Sequence, residues 1–135
     1  MLNPNIDIKK WFYTNLVSIT GLAVYDGMAP DGAGSEYLIL DGRSSSQEQG
    51  KTGYTNSVTM TVDIVTKNAN FGYKRAETIS DLILANINSN TTITLSNGFY
   101  CSSLYVQSVR NIDGLNPTDN VFRTLIIYNL TITQN

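Results

Sequence analysis

SVTMTVDIVT, residues 57–66, alternates between apolar and polar side chains almost without interruption. Side chains on a strand point to opposite faces in turn, so Val58, Met60, Val62 and Ile64 look one way and Thr59, Thr61 and Asp63 the other. One face of this strand meets a core. The other meets solvent or a neighbour.

Upstream, Tyr37-Leu38-Ile39-Leu40 reads as a compact apolar strand that the turn dipeptide Asp41-Gly42 stops. Between the two strands lies the polar segment from Arg43 to Asn56, about fourteen residues rich in Ser, Gln and Gly. Connections between antiparallel strands usually take about 2–5 residues. The segment therefore reads as a long polar hairpin arm, either without fixed order or ordered against a neighbouring subunit or a pore. It contains Gly50-Lys51-Thr52, the closing triplet of a phosphate-binding loop. That loop needs a glycine where this chain has Ser45, and it must lead into a helix whose N-terminus supports the anion. Here a period-two strand follows, so both requirements fail.

Two helices flank this pair. Asn3-Pro4 is a helix start, Asp7 suits the positive end of the macrodipole, and Thr20-Gly21 is a stop. Ile8, Trp11, Phe12, Leu16 and Ile19 form its apolar stripe, with Lys9, Lys10 and Asn15 facing away. Leu22 to Tyr25 is a short extended piece before the turns Asp26-Gly27 and Asp31-Gly32. A second helix spans about Tyr73 to Asn88, capped within Asn68 to Phe71, with Ala76, Ile79, Leu82, Ile83 and Ile87 inward. The rest is strand-rich. Thr91 to Leu95 and Phe99 to Val109 read as a hairpin about Asn97-Gly98, with a phase change near Ser102-Ser103 that marks a bulge. Val121 to Thr133 is a long strand, with Phe122, Ile126, Tyr128, Leu130 and Ile132 on one face. Val121, Leu125 and Ile127 make its other face partly apolar. The expected fold is a single α+β domain over 1–135: a mainly antiparallel β-sheet, two amphipathic helices packed on one face, and a long β-hairpin arm at 43–56. Such a sheet keeps open edges unless something covers them.

With 135 residues, the chain is long enough to bury a core without disulfide or metal. Charged residues make up 15%, against about 25% in an ordinary domain, so the polar surface is mostly neutral. Neutral polar groups lose less than charges when buried against a partner. The net charge of -2 and the scattered Lys and Arg argue against holding a nucleic-acid backbone, though not against lining a channel that DNA passes through. No charged n-region followed by an apolar h-region opens the chain, and no apolar run approaches a membrane span.

The absence of histidine excludes histidine-dependent catalysis and zinc-type ligand sets. Cys101 in an alternating strand reads as a small buried apolar residue with no base to activate it. Asp26, Asp31 and Asp41 each precede a glycine and read as turn residues rather than as an acidic pair or metal site. Neither catalysis nor a cofactor is expected. A binding or assembly role remains. Tyr54, Tyr100 and Tyr105 suit either an interface or burial with one hydroxyl partner.

The order of elements resembles the tail-completion or tail-terminator proteins of tailed bacteriophages. VYDGMAP at Val24 to Pro30, EYLIL ending on Tyr37 to Leu40, VTMTVDIVT at Val58 to Thr66, the second helix, and VFRTLIIYNLTI at Val121 to Ile132 carry the likeness. It implies a structural subunit without catalysis, in a homo-oligomeric ring (a hexamer or dodecamer) at the head–tail junction or head-proximal tail end. Its implied partners are portal or connector and tail-tube proteins, with DNA only passing through and no membrane. The implied location is the virion, assembled in the bacterial cytoplasm. The subunit contact is expected at Arg43, Gln47, Glu48, Lys51 and Tyr54 of the arm and at Thr59, Thr61 and Asp63. An alternative is a host-surface or glycan-binding module, which would need an aromatic cluster on the sheet's solvent face.

Overall fold

The computed structural model describes residues 5–50, 53–67, 73–95, 98–112 and 121–134. The elements in chain order are α1 (Asn5–Thr20), β1 (Ala23–Asp26), β2 (Glu36–Gly50), β3 (Gly53–Lys67), α2 (Lys74–Asn86), β4 (Phe99–Ile112) and β5 (Val121–Gln134). The five strands form one sheet in the order β1-β2-β3-β5-β4. All pairs are antiparallel except β1 with β2. This is the α+β architecture expected from the alternation of 57–66 and the two helical stripes.

Each helix is positioned by its apolar stripe. Ile8, Phe12 and Leu16 of α1 are fully buried, with Trp11 and Ile19 packed at the margin of the same core. Gly21 closes the helix at φ 70°, and its N–H donates to the Val17 carbonyl at 2.9 Å. Glycine suits this left-handed position because it has no Cβ to clash. Ala76, Ile79, Ile83 and the following Ile87 bring α2 onto the same face. There Tyr128 of β5 contacts the Phe12 ring at 5.5 Å and donates to the Ile87 carbonyl at 2.9 Å. One residue of β5 thus ties both helices to the sheet. Leu82, expected inward, is exposed. It lies on the flank of α2 away from the buried stripe, since 100° per residue carries it off the line of Ile79 and Ile83.

Asp41-Gly42 does not end a strand. β2 runs on to Gly50 and pairs residue by residue with β3 down to Gly50–Gly53, with one register shift between Ser44 and Ser46. Within the segment from Arg43 to Asn56, the described residues are therefore two paired strands. Its β3 strand is supported from the side as well, because β3 pairs with β5 from Tyr54–Gln134 onward. Gly42 serves close packing here. A Cβ on it would meet Met60 Cε at 2.9 Å and Lys9 Cε at 3.3 Å, so its bare backbone lets α1 settle on the sheet. Asp41 is likewise a mid-strand residue, whereas Asp31-Gly32 is a turn as expected.

The C-terminal half departs from expectation at one element. Within 91–95 there is only an isolated bridge, Thr94 to Tyr100, and β4 takes β5 as its partner instead. Ile93 and Leu95 face the core, so the run's apolar residues act as a lid over the sheet end, without a ladder. The bulge near Ser102-Ser103 is present as a register shift between Cys101 and Ser103; a second lies between Val106 and Ser108. The expected cap within Asn68 to Phe71 lies outside the described residues.

Candidate assembly interface

Among the described residues, the sheet face opposite the helices has no helix over it, and the sheet has two edges, β1 and β4. The open face divides into two halves. Towards the hairpin end it is a ladder of neutral polar groups. Thr59 donates to the Asn129 side-chain carbonyl at 3.1 Å. The Asn129 amide donates to Gln107 at 2.7 Å and to the Tyr105 hydroxyl at 3.2 Å, and Ser103 donates to Thr131 at 3.2 Å. Registered pairing explains why these groups meet: Thr59, Asn129 and Tyr105 sit side by side on β3, β5 and β4.

The other half is apolar with one charge pair inside it. Tyr37, Val65 and Asp63 are buried, and Ile39, Leu125, Ile127 and Arg123 are half-buried. Arg123 engages Asp63 with two donors on one edge of its guanidinium, Nε donating to Oδ1 at 3.2 Å and Nη2 to Oδ2. The hydrogen bonds it donates to Asp63 hold the Arg123 guanidinium even more firmly protonated than usual, against a smaller opposing effect of burial. Lys67 lies over the Tyr37 ring at 5.7 Å, and Tyr25 meets Tyr37 edge-on at 5.8 Å.

Of the eight expected contact residues, Thr59, Thr61 and Asp63 share the open face. Asp63, at 6% exposure, is committed to Arg123 of its own chain. Arg43, Gln47, Glu48 and Tyr54 lie on the paired strands of the hairpin, and only their backbone is described. Lys51 lies outside the described residues. Tyr100 and Tyr105, whose role the sequence left open, are exposed on β4. Cys101 is half-buried at the margin of the core. Burial pushes its thiol up, partly offset by a backbone hydrogen bond at Ser103.

The two edges are unlike one another. At the first, β1 is four residues long and α1 lies alongside it, pinned by Lys9 to Asp26 at 2.9 Å. Lys9 was expected to face solvent; it reaches β1 instead. A groove of ≈ 210 Å³ runs between the two elements, lined by Lys9, Tyr13, Tyr25 and Asp26 among others. At the opposite edge β4 is fourteen residues long and twice bulged. A groove of ≈ 280 Å³ separates it from α2, lined by Glu77, Ser80, Asp81, Val109, Arg110, Asn111 and Thr124. Both grooves fall short of the roughly 300 Å³ at which small-molecule sites begin. They are suited to receiving side chains. Sequence reasoning missed the apolar residues at these edges. Ile6, Tyr13 and Val17 are exposed on α1, and Val109 on β4. The available signal was residual: they are the apolar residues left over once each inward stripe is assigned.

Among the described residues, two helices in a single layer on a five-stranded, mostly antiparallel sheet define the structural class. Among solved structures, the chain resembles one chain of the virion of a native gene transfer agent particle. That match has a TM-score of 0.70 at 18% identity and covers 98% of this chain and 99% of that one. A second solved chain matches with a TM-score of 0.61 at 14% identity, over 93% of this chain and 92% of the other. The likeness is one of fold along nearly the whole of each chain. No family model and no curated protein matches the sequence. Among the described residues, no helix is long and apolar enough to cross a membrane.

Proposed function

We propose that this chain is a non-catalytic structural subunit of a phage-type virion. Copies form a ring at the head–tail junction or the head-proximal end of the tail, completing the tail and joining it to the connector. The observation that carries this reading is the fold likeness to a virion chain, which extends over 98% of this chain and 99% of that one. The sheet supports it: two dissimilar open edges on one subunit are what a head-to-tail ring consumes, because a closed ring leaves no edge unpaired. In this arrangement the polar half of the open face, with Thr59 and Thr61, and the hairpin tip meet neighbours.

The glycan-binding alternative gains little from the geometry. Its aromatic cluster is split, with Tyr25 and Tyr37 near β1 and Tyr100 and Tyr105 on β4, at opposite edges of the sheet.

The test is the solution mass of the purified protein by light scattering, particle images, and peptide detection in purified virions. A ring-sized mass with annular particles, or incorporation into virions, is the expected result. A monomer at every concentration that is also missing from virions overturns the proposal.

A further inference from the structure

The helical layer is narrower than the sheet it covers. α1 lies over β1 and β2, and α2 over β3 and β5, so among the described residues no helix lies above the far half of β4. Val109 pairs with Ile126 and therefore stands on the helix-bearing side of the sheet, yet it is 43% exposed. Beside it runs the groove whose α2 wall carries Glu77 and Asp81, one helical turn apart. Asn111 donates to Glu77 at 2.8 Å and accepts from Thr124 at 2.8 Å, which fixes the floor. Arg110 also lines the groove, although it pairs with Leu125 on the opposite face, so two carboxylates stand against one guanidinium and the balance of the lining is acidic.

At the other end of the sheet, α1 shows a second stripe. Ile6, Lys10, Tyr13 and Val17 follow i, i+4, i+7, i+11, on the flank away from the core. Ile6 is 63% and Tyr13 52% exposed. Lys10 and Asp81 are both exposed and neither has an ion pair among the described residues. We infer that this stripe of one copy seats in the α2–β4 groove of the next, so that a neighbour's α1 supplies the helix missing over β4. Lys10 then faces Asp81 and Glu77, and the apolar residues of the stripe cover Val109.

The occupant is a second copy on grounds of charge and position. The basic stripe and the acidic groove sit at opposite ends of the strand order β1-β2-β3-β5-β4. Pairing either with itself sets basic against basic or acidic against acidic, so the contact is heterologous. Heterologous contacts propagate head to tail and close into rings when the rotation permits. The inference rests on the ring reading and specifies which surfaces close it.

The test uses charge reversal in the full chain, with mass read by light scattering and fold checked by circular dichroism. Lys10→Glu and Asp81→Lys are surface changes that leave each core untouched. Each alone weakens self-association about tenfold or more, since like charges are brought together. An equimolar mixture of the two variants regains ring mass, because the acidic α1 of one fits the basic groove of the other. The double variant regains it too. If the parent protein forms rings and neither single change lowers the mass, these surfaces are wrong while the ring reading stands. If the folded parent never associates, both fall together.

Discussion

β5 runs between β3 and β4, and its two faces are held in different ways. On one, Ile126, Tyr128, Leu130 and Ile132 lie under both helices and lose nearly all contact with water. On the other, Arg123, Leu125, Ile127, Asn129 and Thr131 remain half-buried, shielded only by their cross-strand neighbours. The first face is where burial of apolar area stabilises the monomer, at roughly 25 cal/mol per Å². The second is held by short-range polar ladders and one ion pair, each worth little alone. The same strand therefore carries the folding core on one side and, in the proposed ring, a contact surface on the other, and substitutions on its two sides should separate accordingly.

The largest effect belongs to the covered face. Phe12 of α1 is fully buried between Trp11 and Tyr128, with ring centroids at 5.1 and 5.5 Å. Phe12→Ala removes a ring from the point where α1 meets the sheet. It should cost ~3–5 kcal/mol of stability in urea denaturation, a large share of the total for a domain of this size. A loss under 1 kcal/mol would mean that the helices contribute no more than the open face does, and the contrast would be gone.

Tyr128→Phe probes the same face more gently. It removes the hydrogen bond to the Ile87 carbonyl and leaves that buried oxygen without its donor, costing ~1–3 kcal/mol. It also carries a pH signature. Burial pushes the Tyr128 hydroxyl well above its ordinary value, so the native state keeps a proton that the unfolded chain releases from about pH 10. The neutral ring's contribution is complete below pH 10 and declines as the pH rises further, because the native state then binds more protons than the unfolded one. The parent should therefore lose stability above pH 10, and the Phe variant should show a shallower alkaline decline in a series of denaturation curves.

How far these two faces could be read in advance depends on periodicity. The strict alternation of 57–66 and the stripe Ile8–Phe12–Leu16 are local signals, and burial enforces them, so both were legible. The extension of β2 through Gly42 was not. Gly42 looks like a turn residue until the approach of Lys9 and Met60, from elements distant in sequence, supplies another reason for a missing side chain. The strand expected at 91–95 failed for the converse reason: its composition suits a sheet, but Phe99 to Ile112 found a longer partner in β5. The interface suffered most. Alternation places Thr59, Thr61 and Asp63 on one face, but Asp63 becomes an internal partner only because β5 delivers Arg123 beside it. Ile6, Tyr13 and Val17 acquire meaning only once the inward stripe of α1 is known.

On the open face, Asp63→Ala leaves Arg123 with no carboxylate. Asp63 is buried, but a third of the Arg123 side chain is still wet, at 33%. The guanidinium can turn to solvent, and the penalty falls between that of a surface pair and a sealed one, ~1–2 kcal/mol. Stability by urea denaturation should fall by that amount, less than for either covered-face change. A loss as large as that of Phe12→Ala would show the open face to be a second core.

Thr59→Val should do least to the monomer. Thr59 and Val have nearly the same shape, and β-branched residues suit a strand equally well. What disappears is one hydroxyl donating to Asn129 at 3.1 Å, on a half-exposed face where water can replace it. Denaturation should shift by less than ~1 kcal/mol. Yet Asn129 also bonds to Tyr105 and Gln107, so the change frees one end of a three-strand ladder that a neighbour would read as a fixed pattern of donors and acceptors. Ring mass measured at limiting concentration should then fall while the melting curve stays in place. If instead both remain unchanged, the polar half of the open face is ordinary wet surface, and the contacts between copies lie at the two edges alone.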